Sequence, residues 1–321
     1  MAIRKKMTLC DYPPLLWTTL PSVYEDDLLE AMTSHPDVDR VRYNTGMRCD
    51  LSAEEILTKI QELTKKYFKP DPLIDLKGRQ LRVIKWSKPP YGPILLNHPI
   101  ELSCPAKVYM RGEDGEMTLK KVVNGNEIYL SPTPKYEVGE GQSVNIVARD
   151  LRTLDGYFTE KDLEFIRAAK KLKMSKFLFS FTESESDLEL FTETMKDFSL
   201  ATAILKIESA KGVDLVRRLK TIPYTSIFQI MAARDDLVIH VGTKETIAAS
   251  RDIILRNRDA ICASRLLMGL ETAGQATLAD VADIELMRSF GYGNFMLSDG
   301  ISHRHFKKAM EFWTEYKKEL K

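Results

Sequence analysis

Charge of one sign is missing from this chain. Lysine and arginine number 47 and aspartate and glutamate 46 in 321 residues, a formal net charge of +1. That balance gives no bulk electrostatic reason to bind nucleic acid or an anionic membrane surface. No apolar run reaches the roughly 18 residues of a membrane-spanning helix. Cysteine is sparse: Cys10, Cys49, Cys104 and Cys262 are scattered, with no CxxC spacing and no paired histidines. This argues against a zinc motif or a disulfide framework and predicts reduced thiols in a cytoplasmic protein. The basic start, Met1-Ala-Ile-Arg-Lys-Lys-Met7, meets Asp11 and the Pro13-Pro14 pair too soon for a secretory leader. No Gly-x-Gly-x-x-Gly follows any predicted strand, which disfavours a doubly wound dinucleotide-binding sheet.

What is present is a repeating rhythm. Leu15–Pro21, Val38–Tyr43 and Pro72–Gly78 read as strands, and helices are predicted over 23–34 and from Ser52 to Pro70. Ser52-Ala-Glu-Glu55 is a capping box that opens the second helix. From Arg82 to Ile146 the rhythm breaks, with seven of the fourteen prolines and short alternating runs such as Lys107–Met110 and Glu127–Leu130. Gly112-Glu-Asp-Gly115 and Asn124-Gly125 are hairpin signals, so a small antiparallel β insert is predicted. The alternation returns at the capping box Thr159-Glu-Lys-Asp162, and five further strands with intervening helices follow. Eight βα units with one interruption predict an α/β fold, a (β/α)8 TIM barrel with a small antiparallel β lid inserted after strand 3. The domain limits expected are 1–81 and 147–321 for the barrel and 82–146 for the lid.

The strand Ala203-Ile-Leu-Lys-Ile-Glu-Ser209 ends in a lysine and a glutamate, and Ile230-Met-Ala-Ala-Arg-Asp-Asp-Leu237 ends in two aspartates. Buried charge costs several kcal/mol, on the order of the whole stability of a marginal fold, unless it is paired or bound to metal. In a TIM barrel the chemistry sits at the C-terminal ends of strands. Lys206, Glu208 and Asp236 are therefore the centre of the predicted site. The competing reading is a structural ion-pair cluster. His303 and His305 are two apart on a predicted helix and do not share a face, which disfavours a metal or catalytic pair.

The strand ends, in order, resemble those of the pyruvate kinase family, over nearly the whole chain. Val41-Arg-Tyr-Asn-Thr-Gly46 is similar to that family's Ala-Arg-Leu-Asn-Phe-Ser segment. Leu73-Ile-Asp-Leu-Lys-Gly78 with Leu81-Arg82 resembles Asp-Thr-Lys-Gly-Pro-Glu-Ile-Arg. Leu205-Lys-Ile-Glu208 resembles Lys-Ile-Glu-Asn, and Met231-Ala-Ala-Arg-Asp-Asp-Leu237 resembles Val-Ala-Arg-Gly-Asp-Leu. Ile261-Cys-Ala-Ser-Arg-Leu-Leu267 is similar to Cys-Ala-Thr-Gln-Met-Leu, and Asp280–Asp283 and Met296–Ser298 keep the register.

The resemblance implies roles at the matching positions. Glu208 and Asp236 would hold a divalent cation, Mg2+ or Mn2+. Lys206 would face the transferring phosphoryl group, Arg42 would bind the phosphate, and Arg82 would lie near it at the lid hinge. Ser264 stands for a threonine of the proton-transfer region, and Asp235 for a glycine whose amide helps hold the substrate carboxylate. Asn44 and Asp75 match ligands of a monovalent cation, K+, whose two other hydroxyl positions are Gly46 and Leu76 here. Met47 replaces a histidine near the nucleotide, and the resemblance ends before the family's C-terminal regulatory domain. The implied activity is divalent-metal-dependent phosphoryl transfer at the enol oxygen of phosphoenolpyruvate or pyruvate, with ADP or another acceptor. The alternatives are a 2-oxo acid lyase or aldolase working through a pyruvate enolate, and a catalytically inactive binding protein. Expected partners are a small phosphorylated or 2-oxo acid substrate and a candidate nucleotide, with no nucleic acid and no membrane. A homo-oligomer is left open.

Overall fold

The computed structural model describes residues 13–89, 91–110, 115–219 and 227–320. Cys10, the basic start, Ser226 and the Gly112–Asp114 part of the hairpin signal lie outside the described residues.

The first two units are β1 (Leu15–Thr19), α1 (Asp26–Ser34), β2 (Arg40–Asn44) and α2 (Ala53–Lys66), followed by β3 (Leu73–Leu76). The Ser52 hydroxyl accepts from the Glu55 amide, and the Glu55 carboxylate accepts from the Ser52 amide, which closes the expected capping box. The insert follows as β4 (Ile94–Leu95), β5 (Ile100–Glu101), β6 (Ala106–Tyr109), β7 (Met117–Val123), β8 (Glu127–Ser131), β9 (Asn145–Val147) and β10 (Arg152–Thr153). It forms a five-stranded sheet in the order β4-β8-β7-β6-β9, with β5 paired to β10 beside it. Asn124 and Gly125 both have positive φ and turn the β7–β8 hairpin, as the sequence signal requires.

The barrel resumes with α3 (Glu160–Lys171), β11 (Lys176–Phe179), α4 (Glu185–Met195), β12 (Thr202–Ile207), α5 (Ala210–Arg218) and β13 (Phe228–Ala233). Then come α6 (Arg234–Val241), α7 (Thr243–Arg256), β14 (Ile261–Ala263), α8 (Met268–Thr272), α9 (Leu278–Phe290), β15 (Asn294–Met296) and α10 (Asp299–Glu319). Eight parallel strands close in the order β1-β15-β14-β13-β12-β11-β3-β2. The α/β barrel with an antiparallel insert after its third strand is the fold the sequence predicted.

Two elements correct the sequence reading. Arg234, Asp235 and Asp236 are not a strand end but the first turn of α6, which starts directly on β13. Two acids in a first helical turn favour the helix, because they face the positive end of its dipole. Gly242, at φ 81, then separates α6 from α7. The second correction is α10: the sequence predicts a final helix over Ser302–Leu320, and the helix begins earlier, at Asp299, with the Ser298 hydroxyl accepting from the Ile301 amide.

Strand alternation sorts the residues into layers. Outward-facing Leu205, Ile207, Ile230, Ala232, Cys262 and Phe295 pack with the helices in the main core. Inward-facing Trp17, Leu73, Leu178, Ile204, Met231, Ile261 and Met296 form an apolar plug. Further along the inward rows of β2, β3 and β12 stand Arg42, Asp75, Lys206 and Glu208. The plug thus becomes the floor of a polar mouth. The insert has its own core around Val83, Leu96, Val108, Leu119 and Ile146. It leaves and rejoins the barrel through paired chain, Val83 N donating to Gln142 O and Val144 N to Leu81 O, each at 2.9 Å. None of the helices among the described residues is long and apolar enough to cross a membrane.

Candidate active site

Lys206 and Glu208 share the inward face of β12 and its C-terminal extension, because they are two residues apart on extended chain. The Lys206 ammonium reaches Glu208 Oε1 at 3.0 Å, Asp75 Oδ1 at 3.3 Å and the Ser180 hydroxyl at 2.9 Å. Burial alone would lower its pKa, but Asp75 and Glu208 outweigh that and raise it. The second Glu208 oxygen accepts from the Phe181 amide at 2.7 Å. Burial and the nearby Asp236 hold the Glu208 carboxyl above its usual range, against the pull of Lys206.

Asp236 enters from α6. Its Oδ1 accepts from the Asn145 side-chain amide of β9 at 3.0 Å, and burial raises its pKa too. The first turn of α6 is anchored by Arg234, whose guanidinium holds both oxygens of Asp283 at 2.7 and 2.8 Å and the Ser264 carbonyl at 2.9 Å.

Arg42, on β2, is not free. Its Nε donates to Asp75 Oδ2 at 2.9 Å, with Nη2 on the same oxygen, and Nη1 donates to Thr19 at 2.7 Å and Asp299 Oδ1 at 2.6 Å. Asp75 lies beneath three cations, Arg42, Lys77 and Lys206, which hold its pKa well below normal despite complete burial. Burial pulls the Lys77 ammonium down to about 7, although Asp75 opposes the shift from 2.8 Å. Arg82 bridges the insert and the mouth, donating to Gly141 O at 2.7 Å and Gln80 Oε1 at 2.8 Å.

Ser264 follows β14 in a left-handed stretch with Arg265 and Leu267, all at positive φ. Its hydroxyl donates to Ala263 O at 2.8 Å and accepts from the Asp235 amide at 3.2 Å. The Asp235 amide is thereby engaged by Ser264.

Arg42, Lys206, Glu208, Asp236, Ser264 and Asp299 line one cavity of about 360 Å³, and Arg82 and Asp235 border it as well. That size suits a small ligand. A larger cavity of about 700 Å³ lies between β9 and α5, α6 and α7, and includes Asn145 and His240 in its wall. It holds none of the predicted strand-end charges Lys206, Glu208 and Asp236, which gather in the smaller one.

The donor chemistry fits a divalent cation. Glu208 and Asp236 are hard oxygen donors whose buried charge nothing fully offsets, and Mg2+-type sites commonly use one or two carboxylates completed by water and substrate. Among the described residues, no group of three or more His, Cys, Asp or Glu side chains forms a dedicated metal cage. A monovalent cation does not fit at Asn44 and Asp75. The Asn44 carbonyl accepts from Gly46 N at 3.0 Å, its amide donates to Asp299 at 2.7 Å, and Asp75 already faces three cations.

The structure thus brings together the predicted Arg42, Arg82, Lys206, Glu208, Asp235, Asp236 and Ser264. Sequence reasoning missed Asp299; it placed Thr19 and Lys77 at strand ends and Asn145 at the return of the insert, but gave none of the three a chemical role. His303 Nε2 donates to Leu20 O at 3.0 Å and does not line the mouth.

A barrel with charged strand ends and an inserted sheet defines a class, the (β/α)8 barrels with an antiparallel β insert after strand 3. The family model "Pyruvate kinase, barrel domain" matches residues 99–306, and the chain belongs to that family. It is similar to the pyruvate kinase of Haemophilus influenzae, 26% identical over 178 residues, covering 54% of this chain and 37% of that protein. It is also similar to pyruvate kinase II of Salmonella typhimurium, 25% identical over 178 residues, covering 54% and 36%. The chain matches little more than a third of the length of these relatives.

Proposed function

We propose that the chain is a divalent-metal-dependent enzyme acting on pyruvate or its phosphorylated enol, by pyruvate kinase-like phosphoryl transfer at the enol oxygen. The observation that carries this reading is the buried Lys206 ammonium, 3.0 Å from Glu208, at the floor of a mouth to which Asp236 also contributes. Mg2+ or Mn2+ held by Glu208 and Asp236 would supply the positive charge that polarises the enol oxygen. Lys206 stabilises charge that grows on a transferring group or on an enolate, and it does so without reorganisation because Ser180, Asp75 and Glu208 already fix it. Ser264 would pass a proton to the enolate's methylene carbon, which becomes the methyl group of pyruvate, after its hydroxyl turns from Ala263 O. Residues 82–146 would act as a lid, with Arg82 at its hinge. ADP is the first acceptor to test.

A second reading, a 2-oxo acid lyase or aldolase through a pyruvate enolate, is favoured by one observation. Arg42, the expected phosphate ligand, is already held by Asp75 and Asp299. The test is an assay panel. Phosphoenolpyruvate with ADP and other acceptors is followed for pyruvate, with Mg2+ or Mn2+, and 2-oxo acids are followed for cleavage and condensation. Pyruvate formation lost in Asp236→Ala and Lys206→Met supports phosphoryl transfer. Metal-dependent cleavage or condensation without pyruvate formation from any acceptor supports the lyase. If no metal binds by calorimetry and Glu208→Gln changes nothing, both fail and the inactive barrel stands.

A further inference from the structure

Asp299 is the first residue of α10, so its carboxylate projects from the end of β15 across the mouth. Its two oxygens are both engaged: Oδ1 accepts from Arg42 Nη1 at 2.6 Å and Oδ2 from Asn44 Nδ2 at 2.7 Å. The side chain is 40% exposed, on the open side of the guanidinium, while Asp75 grips the buried side and is 0% exposed. A guanidinium has five N–H donors in a plane. Asp75 takes two of them, and Thr19 and Asp299 take two more. Two adjacent free donors, which a bidentate grip on a phosphoryl group needs, do not remain.

The charge around the cavity agrees. Its lining holds cationic and acidic side chains in equal number, five of each. Asp75, directly beneath, adds a further negative charge. Before a metal binds, the mouth thus has one more acidic than cationic side chain and no surplus of positive charge for a polyanion.

We propose that Asp299 is a specificity-determining residue: its carboxylate occupies the anion seat on Arg42, so the site takes an unphosphorylated 2-oxo acid in preference to the phosphorylated enol. This rests on the reading that the mouth binds pyruvate-like ligands. A phosphoryl group entering the seat meets a like charge at contact distance and must displace two charge-assisted hydrogen bonds. A 2-oxo acid held by its carboxylate and carbonyl oxygens beside Lys206, Glu208 and Asp236 needs neither. The preference is compatible with a phosphotransferase that uses the 2-oxo acid as acceptor and with a lyase.

The test is calorimetric titration of the intact chain with pyruvate and with phosphoenolpyruvate, each with Mn2+ present. It compares the native protein with Asp299→Asn, Asp299→Ser and the double variant Asp299→Asn/Arg42→Met. The native chain is expected to bind pyruvate more tightly than phosphoenolpyruvate. Removing the carboxylate is expected to raise phosphoenolpyruvate affinity about tenfold or more, since a unit charge at hydrogen-bond distance is worth at least that factor. A cooperative thermal transition shows that the variants fold, and the gain in phosphoenolpyruvate affinity relative to pyruvate should vanish in the double variant. An unchanged affinity ratio in both single variants overturns the proposal, as does a gain that survives Arg42→Met. Binding of neither ligand to any of the proteins overturns the underlying site reading, and the specificity role with it.

Discussion

The side-chain amide of Asn145 donates to Asp236 Oδ1 at 3.0 Å, and this bond ties the inserted sheet to the barrel mouth. Asn145 is the first residue of β9, and Asp236 lies in the first turn of α6. The other end of the Asn145 amide faces His240 Nε2 at 3.3 Å, one α6 turn further on. One side chain thus joins the insert to both turns of the helix that carries a proposed metal carboxylate.

Asn145→Ala is expected to lower stability by about 1–2 kcal/mol, because it leaves Asp236 without its hydrogen bond. Mn2+ affinity should fall as well, since Asp236 is no longer held towards the mouth. Thermal unfolding and calorimetry read the two effects separately. A variant that loses stability but binds Mn2+ as before would limit Asn145 to a structural tie.

Arg234→Met tests the anchoring of α6. The guanidinium is 2% exposed and makes a two-pronged bond to Asp283 and two bonds to the Ser264 carbonyl. Asp283 is 25% exposed and regains water when Arg234 is removed, so a loss of about 1–3 kcal/mol is expected in urea unfolding. The same variant frees the left-handed Ser264–Leu267 stretch, which should raise its susceptibility to limited proteolysis.

Lys206→Met leaves Asp75 and Glu208 buried with one cation fewer. Stability should fall by about 3 kcal/mol at neutral pH, and turnover by about 100-fold or more, since a preorganised cation acts on the transition state. Mn2+ should restore part of the lost stability, because the cation offsets the same carboxylates. Unfolding midpoints with and without Mn2+ check this.

His240 gives the stability a pH dependence with a definite sign. Burial beside Phe181 pushes its pKa down to about 4 from 6.5, although Glu208 pulls the other way. Between those values the unfolded chain takes up a proton that the folded chain refuses, so this contribution is intact above pH 6.5 and is lost as pH falls towards 4. At full extent it amounts to about 3 kcal/mol. Glu208 and Asp236, with raised pKa values, act in the opposite direction as pH falls. The measurement is therefore a difference: stability against pH for the native chain minus that of His240→Phe. The difference should grow between pH 6.5 and 4.

Much of the barrel was legible because its signals are local. Period-2 apolar alternation places Ile204, Lys206 and Glu208 on one face, and capping boxes such as Ser52–Glu55 and Thr159–Asp162 mark where helices begin. The Asn124-Gly125 turn was equally local. Asp236 was found, but on the wrong element, because an apolar run ending in Arg-Asp-Asp reads the same whether the strand continues or a helix starts on its last residue. Asp299 was hidden for a related reason. An acid just after a serine cap is what any helix start prefers, so nothing local marks its carboxylate as reaching Arg42, 257 positions away in the chain. The dependence of Arg42 on Asp75 and Asp299 together is a property of barrel closure, which only the three-dimensional arrangement reveals.

The account turns on whether Lys206, Glu208 and Asp236 form an enolate-stabilising metal site, which both catalytic readings require. The most direct measurement is exchange of the pyruvate methyl protons into deuterated water, followed by proton nuclear magnetic resonance with the native chain and Mg2+. The account predicts exchange well above the rate with Mg2+ alone, abolished by chelation and reduced about 100-fold or more in Glu208→Gln and Asp236→Ala. Exchange no faster than with Mg2+ alone, or equally fast in both variants, would contradict it.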